Sequence, residues 1–133
     1  NAPRDVRLGA FIKLLTENFP EIKEEIMDED YDGLLSLQIG VFRTFTQNAI
    51  DKSDASQIDR CFKFINSILG NVEHKVENSI YMTYFRKLDF ETNPTLKKLL
   101  SKEVLKNIEA IGQHERSAND DPKLKDFLNS LGN

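Results

Sequence analysis

Apolar residues recur three and four positions apart along nearly the whole chain, and no stretch alternates with period two for long enough to make a strand. That pattern predicts an all-α fold. The first run, Leu8, Phe11, Ile12, Leu15 and Phe19, marks one face of a helix expected from about Asp5 to Asn18. Pro20 ends it, because the residue before a proline is pushed out of the helical region. Pro20 can also open a short second helix, where Ile22 and Ile26 lie one turn apart on an otherwise acidic body. Such a helix belongs on the surface, held by one edge. Past Asp32-Gly33 comes the most apolar stretch, Leu34 to about Ile50, in which Leu34, Leu35, Leu37, Ile39, Val41, Phe42, Phe45, Ala49 and Ile50 leave little polar face. It is predicted to be the central helix.

Ser53 to Ser56 supplies cap candidates for a fourth helix, along which Ile58, Cys61, Phe62, Ile65, Ile68 and Leu69 form one apolar stripe that Gly70 stops. Asn71 can cap the next helix, expected from Val72 to Lys87, with Val76, Ile80 and Thr83 in line and Tyr81, Tyr84 and Phe85 beside them. Thr92-Asn93-Pro94 restarts the chain with a cap and a proline at the first helical position. Leu96 to Leu100 makes a turn and a half, and Val104 to Ile111 an amphipathic run closing near Gly112. Residues 113–121 are polar and read as a loop before a last helix from Pro122, and residues 1–4 are expected to lie outside the fold, Asn1-Ala2 as a tag remnant. The sum is one domain over residues 1–133, with six or seven short helices in antiparallel pairs. Either an irregular bundle or a short HEAT-like stack satisfies that order.

Composition changes the picture mainly by exclusion. With 133 residues, one cysteine, no tryptophan and no long apolar run, the chain has neither a disulfide framework, nor a Cys-rich zinc module, nor a membrane span, and a soluble, cytoplasmic protein is expected. The net charge of −4 is unevenly spread: from Glu17 to Asp32 eight acids face one base, Lys23, so this stretch carries −7. An electrostatic partner of that stretch should be basic. Nucleic acid is disfavoured as a partner, since binding it requires cations against phosphates. The nearest basic stripe, Lys97, Lys98, Lys102 and Lys106, has the spacing of an ordinary solvated helix face.

Candidate chemistry is sparse. Asp28-Glu29-Asp30-Tyr31-Asp32-Gly33 matches the first half of a helix-loop-helix calcium loop, with oxygen ligands at positions one, three and five and glycine at six. Position twelve, which should supply a bidentate glutamate, is Ile39, and position nine is Ser36. A calcium-responsive helical protein using the Asp28 to Gly33 turn is therefore the alternative function rather than the first. His74 and His114 are forty residues apart without ligand spacing, Glu73 and Glu77 form a carboxylate pair without the histidine of a di-iron motif, and Cys61 lies on an apolar stripe. No catalytic residue, cofactor motif or metal site is expected. What remains is recognition by the acidic face, Glu21, Glu24, Glu25, Asp28, Glu29, Asp30, Tyr31 and Asp32, with Tyr31 and Tyr81 or Tyr84 as aromatic anchors if exposed, burial in the core being at least as well supported for the latter two.

Three stretches, FIKLLTENFPEIKEEI, YDGLLSLQIGVFRTFTQNAI and VEHKVENSIYMTYFRKLDF, resemble a family of small, all-helical bacterial proteins of uncharacterised function. The shared pattern is a Leu-rich helix ending at Pro20, a Gly-Leu-Leu helix start at Gly33, and Val76, Asn78 and Ile80 followed by Phe85 and Leu88, over about residues 11 to 112. Proteins resembling this group include candidate immunity proteins of bacterial toxin systems, among them contact-dependent growth inhibition. The resemblance implies a stoichiometric inhibitor that covers the active site of a cognate toxin domain, and a non-enzymatic chain, monomeric when free, is expected. A basic nuclease would suit the acidic face.

Overall fold

The computed structural model describes residues 4–120, and within them it is all-α, with six α-helices, one π-helical turn, four 3-10 turns and no strand. The chain groups into two compact units, residues 1–100 and 101–133. In the first, α1 (Leu8–Asn18) buries Phe11, Ile12 and Leu15 and stops before Pro20, which opens a 3-10 turn (Pro20–Ile22) and the short α2 (Lys23–Ile26). Ile22 and Ile26 are both buried, while every other residue of that segment from Glu21 to Met27 is exposed. A 3-10 turn (Glu29–Tyr31) and Gly33, at φ 75° where L side chains are strained, lead into α3 (Leu35–Asp51).

α3 is the central helix: the Pro20–Ile22 turn, α2, α4 (Ala55–Ile68), α5 (His74–Ser79) and the π-helical turn (Ile80–Tyr84) all pack on it. The core is aromatic. Phe19 meets Phe42 at 4.9 Å between centroids and Phe64 at 5.4 Å, and Phe42 stacks on Tyr84 at 4.9 Å and 8°. Such pairs add about 0.5–1.5 kcal/mol each beyond the area they bury. Thr46, fully buried, shares a 2.9 Å hydrogen bond with the Tyr84 hydroxyl and donates to the Phe42 carbonyl, so neither polar group is stranded. Asp54 caps α4 by accepting from the Gln57 N–H, one of the predicted caps.

Several boundaries differ from the sequence-based expectation. Helix α1 begins at Leu8, not Asp5, because Val6 is extended and pairs with the chain between α4 and α5: its N–H donates to the Asn71 carbonyl and its carbonyl accepts from Glu73 N–H, both at 2.9 Å. Arg4 is part of this strap, ion-paired to Glu77 and bonded to the Val72 carbonyl, so residue 4 lies inside the fold. The same pairing delays α5 to His74. Arg7 offers α1 no side-chain cap; the Glu73 carboxylate supplies it instead, accepting from Leu8 N–H at 2.7 Å across 65 positions. Thus Glu73 and Glu77, one turn apart, both hold the N-terminal segment. The expected Val72 to Lys87 helix changes winding from α to π at Ile80 and to 3-10 at Phe85, ending at Lys87. Leu96 lies in a 3-10 turn (Pro94–Leu99).

In the second unit, α6 (Lys102–Asp120) starts at Ser101, whose hydroxyl accepts from Val104 N–H at 3.1 Å. It runs through Gly112 and through the predicted 113–121 loop as far as Asp120. A single helical glycine costs about 1 kcal/mol relative to alanine, which is not by itself enough to end a helix. The helix predicted from Pro122 lies outside the described residues, as do residues 1–3.

Candidate functional site

The acidic segment is built so that its apolar residues point inward and its acids outward. In the Pro20–Ile22 turn and α2, Ile22 and Ile26 anchor the backbone to the core, and Gln38, buried on α3, donates to the Ile26 carbonyl at 3.3 Å and fixes the end of α2. Glu24, Glu25, Asp28, Glu29, Asp30 and Asp32 are all exposed, and none makes an ion pair with a described residue. Asp28 uses its carboxylate locally, accepting from Asp30 N–H at 2.9 Å to cap the 3-10 turn.

Glu21 stands apart from the other seven residues of the predicted face. Both of its oxygens accept from the guanidinium of Arg60 on α4, one at 2.8 Å, and the same guanidinium donates to the Asn18 carbonyl and to Gln57 and lies 4.6 Å from the centre of the Phe19 ring. The Arg60 hydrogen bonds, aided by a backbone N–H, lower the pKa of Glu21 to about 2. This carboxylate clamps α4 to the end of α1. Its charge is matched inside the protein.

Tyr31 is half-buried. Tyr81 and Tyr84 are buried and cannot serve as surface anchors; the Tyr84 hydroxyl lies in the core with a pKa pushed up by that burial. Cys61 is fully buried and desolvation raises its thiol to about 11, so it is an inert core residue at neutral pH. Lys97, Lys98, Lys102 and Lys106 are exposed. The Asp28 to Gly33 turn does not gather ligands: among the described residues no three His, Cys, Asp or Glu side chains come close enough to hold a metal ion. No helix of the described residues is long and apolar enough to cross a membrane.

Two features of this region escape the hydrophobic pattern. Leu34 and Leu37, counted among the apolar positions of the predicted central helix, are 49% and 48% exposed, and Met27 is 57% exposed beside the acids. Gln38 is buried instead, donating to the last carbonyl of α2 while its own Oε1 finds no partner among the described residues. The second feature is a pair of hollows meeting at the first turn of α3, both bordered by Ser36 and Leu37. One, of about 440 Å³, is lined by Leu8, Leu34, Leu35 and Ser79; the other, of about 350 Å³, holds Glu25, Tyr31, Arg43, Thr83 and Lys87. The only sequence signal for the latter is the run of small residues Ser36, Gly40 and Thr44, four apart on one face of α3.

The described residues thus combine an all-helical fold with an exposed acidic segment and the open side chains of Leu34 and Leu37. The chain belongs to the DUF7674 family, a domain of unknown function that matches residues 12–116, most of the first unit described above and about half of the second. No curated protein and no solved structure matches the chain.

Proposed function

We propose that this chain is a non-enzymatic protein-binding module whose acidic face receives a basic protein partner. The observation that carries the reading is that six carboxylates, Glu24, Glu25, Asp28, Glu29, Asp30 and Asp32, stand exposed and form no ion pair with a described residue, in the same segment as the open side chains of Met27 and Leu34 and near that of Leu37. Unneutralised acids on a folded surface create a potential of several kT that speeds encounter with a positive partner, and the apolar centre supplies the contact that holds it. The partner in this reading is a bacterial toxin domain, a basic nuclease, whose active site the acidic face covers. The resemblance to candidate immunity proteins supports that narrower step, and a nuclease groove made positive for phosphate is the complement of such a face.

The test is affinity capture from the native organism at low and moderate salt, with the Glu24→Lys, Asp28→Lys, Glu29→Lys, Asp30→Lys variant alongside. The reading expects a basic protein retained by the natural chain and lost by the variant, and a purified partner whose nuclease activity stops at one equivalent of the natural chain. Capture of the same protein by both, or a captured partner whose activity the chain leaves untouched, contradicts the face in the first case and the toxin step in the second.

A further inference from the structure

We infer that the cleft around Arg43 is a binding site for a carboxylate carried on a short aliphatic chain. Arg43 is half-buried in its wall and makes no hydrogen bond, ion pair or ring contact with any described residue. A guanidinium offers five donors in a planar fork, and a carboxylate is the group that takes two of them in parallel. Lys87 places a second cation in the same lining, and Thr44 and Thr83 add hydroxyls. Thr83 comes from the π-helical turn, a kind of winding that concentrates at functional sites. Leu37 and Val41 give the apolar surface against which a short carbon chain lies.

Glu25 on the same lining, together with the acids that follow it, disfavours a doubly charged phosphate and leaves the single charge of a carboxylate as the better match. Gly40 fits this use. It lies inside the 17-residue α3, where glycine weakens the helix relative to alanine, and a Cβ built there would meet nothing within 4 Å. Nothing in the described fold needs a glycine at this position, whereas a ligand approaching the helix backbone does. The site shares Glu25 and Tyr31 with the acidic face but does not rest on that reading: a basic partner can bind without filling the cleft.

The experiment is a titration of the ¹⁵N-labelled chain, followed by amide shifts, with sodium butyrate, with the blocked tripeptide acetyl-Ala-Glu-Ala-amide, with inorganic phosphate, and with sodium chloride at matched ionic strength. Saturable shifts at Gly40, Arg43, Thr44, Thr83 and Lys87 are expected with butyrate or the tripeptide, the tighter of the two telling a free acid from a partner's side chain. Arg43→Gln, which removes the charged fork, should weaken binding about 10-fold or more. Gly40→Leu should do the same by filling the floor, while both variants melt within a few degrees of the natural chain. Shifts that stay linear and equal to those in chloride, tighter saturation by phosphate, or undiminished binding in Arg43→Gln would each overturn the proposal.

Discussion

Glu21 and Glu24 are three residues apart in one acidic stretch, yet they do opposite things. Glu21 is matched by Arg60 from 39 positions away, on a guanidinium that also ties down the Asn18 carbonyl and covers the Phe19 ring. Glu24 and the acids after it form no ion pair with a described residue. The strap at the N-terminal end follows the first pattern: Glu73 and Glu77 are each taken up by a distant backbone N–H or arginine. Arginine divides the same way, Arg60 saturated by the fold and Arg43 left open in a cleft. A charge whose partner comes from afar in the same chain is structural. One left without such a partner is available to another molecule.

The widest way to break that division is to remove what the clamp rests on. Phe19→Ala deletes a fully buried ring that contacts Phe42, Phe45 and Phe64 and lies under Arg60, and should cost about 3–5 kcal/mol in chemical denaturation. Next, Glu73→Ala uncaps α1 and loosens the strap. A loss of about 1–2 kcal/mol is expected, against little or none for the same change at Glu24.

These contrasts also show how much was legible in the chain itself. The helical period, the stop at Pro20, the turn at Gly33, the Asp54 cap and the central place of α3 all follow from local pattern, because each depends on residues within a turn of one another. The Glu21–Arg60 clamp, the Glu73 cap on Leu8 and the bridge of Val6 to Val72 join positions tens of residues apart, and periodicity holds no trace of such pairs. The exposure of Leu34 and Leu37 was hidden for a related reason: which side of a nearly all-apolar helix is left open depends on what packs against it, and Gln38 is buried where it meets the Ile26 carbonyl of α2. The site was legible as charge and not as shape. Eight acids in sixteen positions announced a face, but not that one of them is already matched, nor that a cleft with Arg43 adjoins it.

A smaller effect separates the two kinds of acid by pH. With its folded pKa near 2 against an ordinary 4.5, Glu21 contributes stability that is complete above about pH 4.5 and is lost as pH falls toward 2. Because the pair is partly exposed, that contribution should be no more than about 1 kcal/mol. Glu21→Gln should therefore be slightly less stable than the natural chain at neutral pH, with the gap closing through this window. A gap that is constant between pH 7 and pH 2 would mean that the clamp does not operate through ionised Glu21.

The smallest expected change in stability accompanies the largest expected change in binding, and that pairing tests the central claim most directly. The association rate of the captured partner should be measured against ionic strength for the natural chain and for the variant with Glu24, Asp28, Glu29 and Asp30 changed to lysine. The account predicts a rate that falls steeply with salt for the natural chain, drops by about 10-fold or more at low salt in the variant, and leaves each protein's melting temperature nearly the same. Equal rates with equal salt dependence would contradict it, and the acids of this segment would then serve the protein only as a solvated surface.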